Sequence, residues 1–119
     1  MKVYLDNCLP RTLKRHLVGD VDHAADRRWG HLSNGDLLRR VEREYDVFIT
    51  VDKAQRSQQE WRKQYQDYEM GFLILRVFGN SLPPLLPFVE EINEALESIN
   101  DGNNGDVVYI GEPKLLTNP

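Results

Sequence analysis

Residues 1–10, MKVYLDNCLP, decide how the rest of the chain is arranged. Val3, Tyr4 and Leu5 form an apolar, β-favouring run too short for a helix, and Pro10 suits the first turn of a helix, where its missing N–H costs nothing. A short buried strand therefore ends at Asp6-Asn7 and hands over to a helix. In open α/β sheets the carboxyl ends of the strands are where ligands bind, so a carboxylate there is a candidate for chemistry. It is equally a candidate for capping the turn and helix that follow. At this point both readings of Asp6 stand.

Working outward, Leu9, Leu13 and Leu17 recur every four residues with Arg11, Lys14 and Arg15 between them, which predicts an amphipathic helix over 10–17, ended by Gly19. Val21 to Ala25 reads as a weak second strand, and Asp26 to Leu32 as a loop anchored by Trp29. Ser33-Asn34-Gly35-Asp36 matches the capping-box pattern, and Leu37, Leu38, Val41 and Tyr45 supply the apolar stripe of the helix behind it. Asp46 to Val51, DVFITV, is a strand that again runs into an acid, Asp52. Lys53 to about Tyr68 is polar and partly helical, with Trp61 and Tyr65 as apolar contacts. Gly71 to Phe78, GFLILRVF, is the almost wholly apolar run expected of a central parallel strand covered on both faces. After a turn at Asn80 to Pro84, the stripe Leu85, Phe88, Val89, Ile92, Leu96 and Ile99 predicts a helix with Glu90, Glu91, Glu94 and Glu97 facing water. Asp101 to Gly105 is a flexible turn, and Asp106 to Ile110 a final strand.

Alternating strands and helices predict the α/β class: a parallel sheet of four to five strands between two helical layers. The 119 residues suffice for one core, so a single domain over 1–112 is expected, with 113–119 a loosely ordered tail. Nothing resembles a membrane span or a signal peptide, and a cytoplasmic location is expected. The lone Cys8 excludes an internal disulfide and reads as a small buried residue. His16, His23 and His31 lack ligand-like spacing, which argues against zinc; they read as surface or half-buried residues. There is no glycine-rich phosphate loop and no nucleophile elbow. The formal net charge of -4 conceals an asymmetry: residues 1–64 carry thirteen Lys and Arg against ten acids, residues 65–119 two against nine. The basic front half is either a solvated set of helix faces or a phosphate-facing rim.

Parallel strands share one carboxyl edge, so Asp6 and Asp52 should emerge on the same rim, where Asp36 in the first turn of a connecting helix would join them. Carboxylates that close repel unless a cation sits between them, and hard oxygen donors suit Mg²⁺ or Mn²⁺. Such an ion activates water and steadies phosphate in phosphodiester hydrolysis. Each acid also has a plainer role: Asp6 in a turn, Asp36 as partner of Ser33 in the capping box, Asp52 as a helix N-cap. Arg11 and Lys53, each beside an acidic corner, are candidates to contact phosphates.

VYLDNCLPRTL, RRWGHLSNGDLL and DVFITVDKAQRSQQ resemble, in order and approximate spacing, the signature stretches of a family of short PIN-like proteins. That family consists of predicted nucleases found as the toxin half of bacterial toxin–antitoxin pairs. The resemblance covers the first half of the chain; the second half agrees in its strand–helix–strand layout. It implies a three-layer α/β/α PIN-like domain and a metal-dependent endoribonuclease with Asp6, Asp36 and Asp52 as catalytic, metal-holding acids. Its implied cofactor is Mg²⁺ or Mn²⁺, and its implied partners are an RNA substrate, a cognate antitoxin and a second copy of the chain. The chain departs from the family at Asn7, where an acid is common. A neutral amide can lend a carbonyl oxygen to a metal but removes one charge from the cluster. That departure keeps a second reading alive: a PIN-like module that binds RNA or protein without cutting.

Overall fold

Val3 and Leu5 face one side of the sheet and Tyr4 the other, and this alternation is repeated along every strand of the fold. The computed structural model describes residues 1–29, 31–52, 58–76, 81–100 and 107–111. Five strands, β1 (Lys2–Leu5), β2 (Asp20–His23), β3 (Val47–Val51), β4 (Gly71–Leu75) and β5 (Val107–Ile110), form one parallel sheet in the order β2-β1-β3-β4-β5. Registers such as Leu5 opposite Ile49 and Ile49 opposite Leu73 stack like with like on each face. Helices cover both faces, compatible with the predicted three-layer α/β/α arrangement.

One face is aliphatic. Val3, Leu5, Val47, Ile49, Leu73 and Leu75 meet Leu9 and Leu13 from the β1–β2 connection, and Leu85, Ile92 and Leu96 from α4 (Leu82–Leu85) and α5 (Val89–Asn100). Glu90, Glu91, Glu94 and Glu97 lie on the exposed side of α5, as its stripe predicts. Gly71 lets α5 approach the sheet: a Cβ there would lie 2.7 Å from the Ile99 side chain. The other face is aromatic. Tyr4, Phe48 and Phe72 meet Leu38, Val41 and Tyr45 from α2 (Asn34–Glu44) and its cap, and Trp61 and Tyr65 from α3 (Gln58–Tyr65).

Local structure departs from expectation in four places. The helix predicted over 10–17 is a 3-10 helix, Arg11–His16, flanked by Pro10 in extended conformation. Leu13 N–H reaches back to the Pro10 carbonyl (3.1 Å) and Leu17 N–H to that of Lys14 (3.4 Å), a tighter winding that suits a short link between adjacent strands. A helical turn α1 (Ala24–Arg27) spans the junction of the predicted strand 21–25 and loop 26–32, and β2 ends at His23. Its N-cap is His23, which is buried and not the surface or half-buried residue expected: Nδ1 accepts from the Ala25 N–H (3.0 Å), Nε2 meets the Leu9 carbonyl (2.7 Å), and Asp26 accepts from the His23 N–H (2.9 Å). The turn expected up to Pro84 instead starts α4, whose first turn accepts both prolines. The predicted turn 101–105 and tail 113–119 lie outside the described residues. No helix among the described residues is long and apolar enough to cross a membrane.

Candidate functional site

Because the strands run the same way, the residue that follows each one lies on a common edge: Asp6 after β1, Asp52 after β3, Arg76 after β4. The ladder extends one step to hold them. The N–H of Asp6 donates to the Ile49 carbonyl (2.9 Å), that of Asp52 to Leu75 (3.0 Å), and that of Arg76 to Ile110 (2.9 Å). Tyr4, Phe48, Ile74 and Val107 belong to the aromatic face. Asp6, Thr50, Asp52, Arg76 and Tyr109 stand an even number of residues further along, which brings them to the same face.

Asp6 is half-buried and oriented by three donors. The Thr50 hydroxyl donates to its Oδ2 (2.7 Å), the Asn7 N–H to its Oδ1 (2.8 Å), and the Cys8 thiol lies 3.6 Å from Oδ2. Burial raises the Cys8 thiol, so it stays protonated and serves as a donor. Cys8 is half-buried, in contact with the site acid and not deep in the core. Burial, helped by the Asp6 charge, pushes the Tyr4 hydroxyl up to about 12. A carboxylate has about four acceptor positions, so Asp6 retains room for a further donor. It opens into a cleft of about 370 Å³, shared with Asn7, Arg28, Trp29 and Leu37.

Asp52 shares the edge with Asp6 but has a different environment. Its side chain is 0% exposed, with Oδ2 3.3 Å from Nε of Arg76, which is itself 16% exposed. The Arg76 guanidinium lies over the Tyr109 ring, 4.6 Å from its centroid. Burial and then the Asp52 charge raise the Tyr109 hydroxyl. Asp36 is exposed in the first turn of α2, where the Ser33 hydroxyl accepts from its N–H (3.4 Å) and donates to its Oδ2 (3.1 Å). This is a capping arrangement. Arg11 is exposed and paired with Asp26, which also takes the Lys14 ammonium at 2.8 Å. Lys53 lies outside the described residues.

Asp6 and Asp52 are therefore brought to one face of one edge, and Asp36 is engaged in the cap of α2. With Asp52 covered and ion-paired to Arg76, the three acids and Asn7 do not, as placed, fit one Mg²⁺ or Mn²⁺ ion. Among the described residues no group of three or more His, Cys, Asp or Glu side chains is placed to hold a metal. No protein-family model, curated protein or solved structure matches the chain.

Sequence reasoning passed over Thr50 and Arg76. Arg76 read as an interior residue of the strand predicted over 71–78; β4 ends at Leu75, so Arg76 follows it at the offset at which Asp6 and Asp52 follow theirs. Thr50 had no signal either: it reads as one more β-branched strand residue until β1 is laid beside β3.

Proposed function

We propose that this chain is a ribonuclease that cuts phosphodiester bonds at the carboxyl edge of its sheet, with Asp6 as the central group. The observation that carries this is the Asp6–Thr50 hydrogen bond between β1 and β3. The chain proceeds from β1 to β2 on one side, then returns past β1 to β3 and onward, so the strand order reverses between these two strands. Such a switch point opens a crevice at the carboxyl ends, the usual ligand site of α/β sheets. A half-buried, pre-oriented carboxylate there can accept a proton from an attacking hydroxyl. Arg76, anchored by Asp52 and Tyr109, adds a fixed positive charge on the same face, and a guanidinium suits a phosphodiester.

The family resemblance supports RNA as substrate and extends the proposal to a toxin restrained by a cognate antitoxin. It also implies Mg²⁺ or Mn²⁺, which the test addresses directly. Wild type and Asp6→Ala are incubated with RNA in chelator, then with each ion. Wild type is expected to cleave, and Asp6→Ala to lose about 100-fold or more in rate. Equal rates overturn the reading; cleavage in chelator removes the metal from it. One observation favours a second reading, a module that binds RNA or a partner protein without cutting: the Asp52–Arg76 pair neutralises a carboxylate that metal chemistry would need. RNA bound but intact under every condition selects that reading.

A further inference from the structure

The cleft beside Asp6, about 370 Å³, is of the size that holds small ligands, and it joins three kinds of chemistry. Asp6 is an acceptor with spare capacity. Tyr4, Trp29 and Leu37 make an apolar lining. Arg28, an exposed residue on an unusual backbone, completes the lining.

Arg28 is the C-cap of α1, with φ 56 and ψ 35, and among the described residues no other non-glycine has positive φ. Glycine would adopt this left-handed conformation without strain, whereas an arginine is held there against its preference. Its neighbours Arg27, Arg39 and Arg40 pair with Glu44 or Glu42, but Arg28 makes no ion pair among the described residues. Its side chain is exposed and free to meet a ligand at the mouth of the cleft. Residues held in strained conformations gather where a ligand is to be met.

We infer that this cleft is a subsite for one ribonucleotide of an RNA strand, with Arg28 on its phosphate, Asp6 accepting from a ribose hydroxyl, and Trp29 and Leu37 against the base. The inference rests on the reading of this edge as RNA-acting and names what it grips. A guanidinium fork matches phosphate oxygens. A carboxylate at a sheet edge accepts ribose hydroxyls, and the 2′-hydroxyl is what separates RNA from DNA. Tyr4 and Trp29 already stack on each other (centroids 5.9 Å apart, planes 18° apart), and Arg27 lies 4.5 Å from the Trp29 centroid. With Tyr4 buried behind it, the accessible part of Trp29 and Leu37 is what the base meets, which favours contact without strong base selectivity.

The test uses 5′-AMP and 5′-UMP, their 2′-deoxy forms and the parent nucleosides. Binding is followed by calorimetry and by the NMR signal of the Trp29 indole N–H. Both ribonucleotides should bind and shift that signal, with the deoxy forms and the nucleosides several-fold weaker. Arg28→Gly should bind about tenfold more weakly or worse, with a melting temperature equal to or above wild type, because glycine relieves the backbone. Arg28→Asn, which also tolerates this conformation, should lose affinity in the same way. Undiminished binding by Arg28→Gly, or an unmoved Trp29 signal at saturating nucleotide, overturns the subsite. Equal affinity for the deoxy forms overturns the assignment to Asp6. Nucleotide binding in a protein that leaves RNA intact keeps the subsite and overturns hydrolysis. Cleavage by a protein that binds no mononucleotide does the reverse.

Discussion

The two faces of the sheet are built from different materials. The aliphatic face is Val, Leu and Ile throughout its buried centre, sealed by the 3-10 helix and by α4 and α5. The aromatic face stacks Tyr4 on Phe48 (5.6 Å between centroids) and Tyr65 on Phe72 (4.1 Å) and carries polar atoms into the core. Tyr45 is one example: its hydroxyl donates to Asp22 at 2.5 Å, and burial followed by that bond raises its pKa. Aliphatic side chains offer only area and fit, whereas aromatic ones also offer edges, hydroxyls and faces that cations approach. This explains why the row of Asp6, Thr50, Asp52 and Arg76 grows from the aromatic side. A charged edge can be anchored there without leaving polar groups stranded in hydrocarbon.

The sharpest way to break this comparison is at Arg76. Arg76→Leu takes the guanidinium away from a carboxylate that is 0% exposed, which is expected to cost about 3–5 kcal/mol in denaturant unfolding. The double variant Asp52→Leu/Arg76→Leu should recover a large part of that loss, since apolar replacement of a buried pair is often close to neutral. RNA cleavage should be lost in both. Cleavage at the wild-type rate in the double variant would make the pair purely structural and erase the functional difference between the faces.

Leu73→Ala probes the aliphatic side with a smaller or similar effect, about 2–5 kcal/mol by chemical denaturation. Here the rate per folded molecule should be unchanged. A fall in that rate would mean that the two faces are coupled through the sheet.

The smallest effect belongs to Asp26, which fastens the aromatic-side turn α1 to the 3-10 helix. The Lys14 ammonium, then the His23 N–H, hold its carboxyl down at about 2 from an ordinary 3.8. A carboxyl held down in the folded state contributes stability that is present above about pH 4 and lost as pH falls through about 2. Acid unfolding of wild type should therefore steepen between those values, and Asp26→Asn should flatten that window while leaving the neutral-pH RNA cleavage rate intact. An unchanged acid profile would remove Asp26 from the list of anchors.

Much of the architecture was legible because it is written locally. DVFITV and GFLILRVF read as strands from composition alone, although the second ends at Leu75, and the α5 stripe shows in its period. Legibility failed where a short connection was shaped by its ends. Leu9, Leu13 and Leu17 have helical spacing, yet the link between two adjacent strands winds as a 3-10 helix. The buried role of His23 depends on the carbonyl of Leu9, fourteen residues away, which no local pattern reports.

By itself, then, the sequence determined the order of strands and helices and the presence of an acid directly after β1 and β3, because propensity, alternation and punctuation act over a few residues. Only the tertiary structure decided that β1 lies beside β3, which places Thr50 against Asp6, and that β4 lies beside β3, which places Arg76 against Asp52. Strand order and register are set by which apolar faces pack across the whole sheet, and a shift of one residue would have turned each of these side chains to the opposite face. For the same reason three acids at suggestive positions became three different objects: an open carboxylate, a buried ion pair and a helix cap.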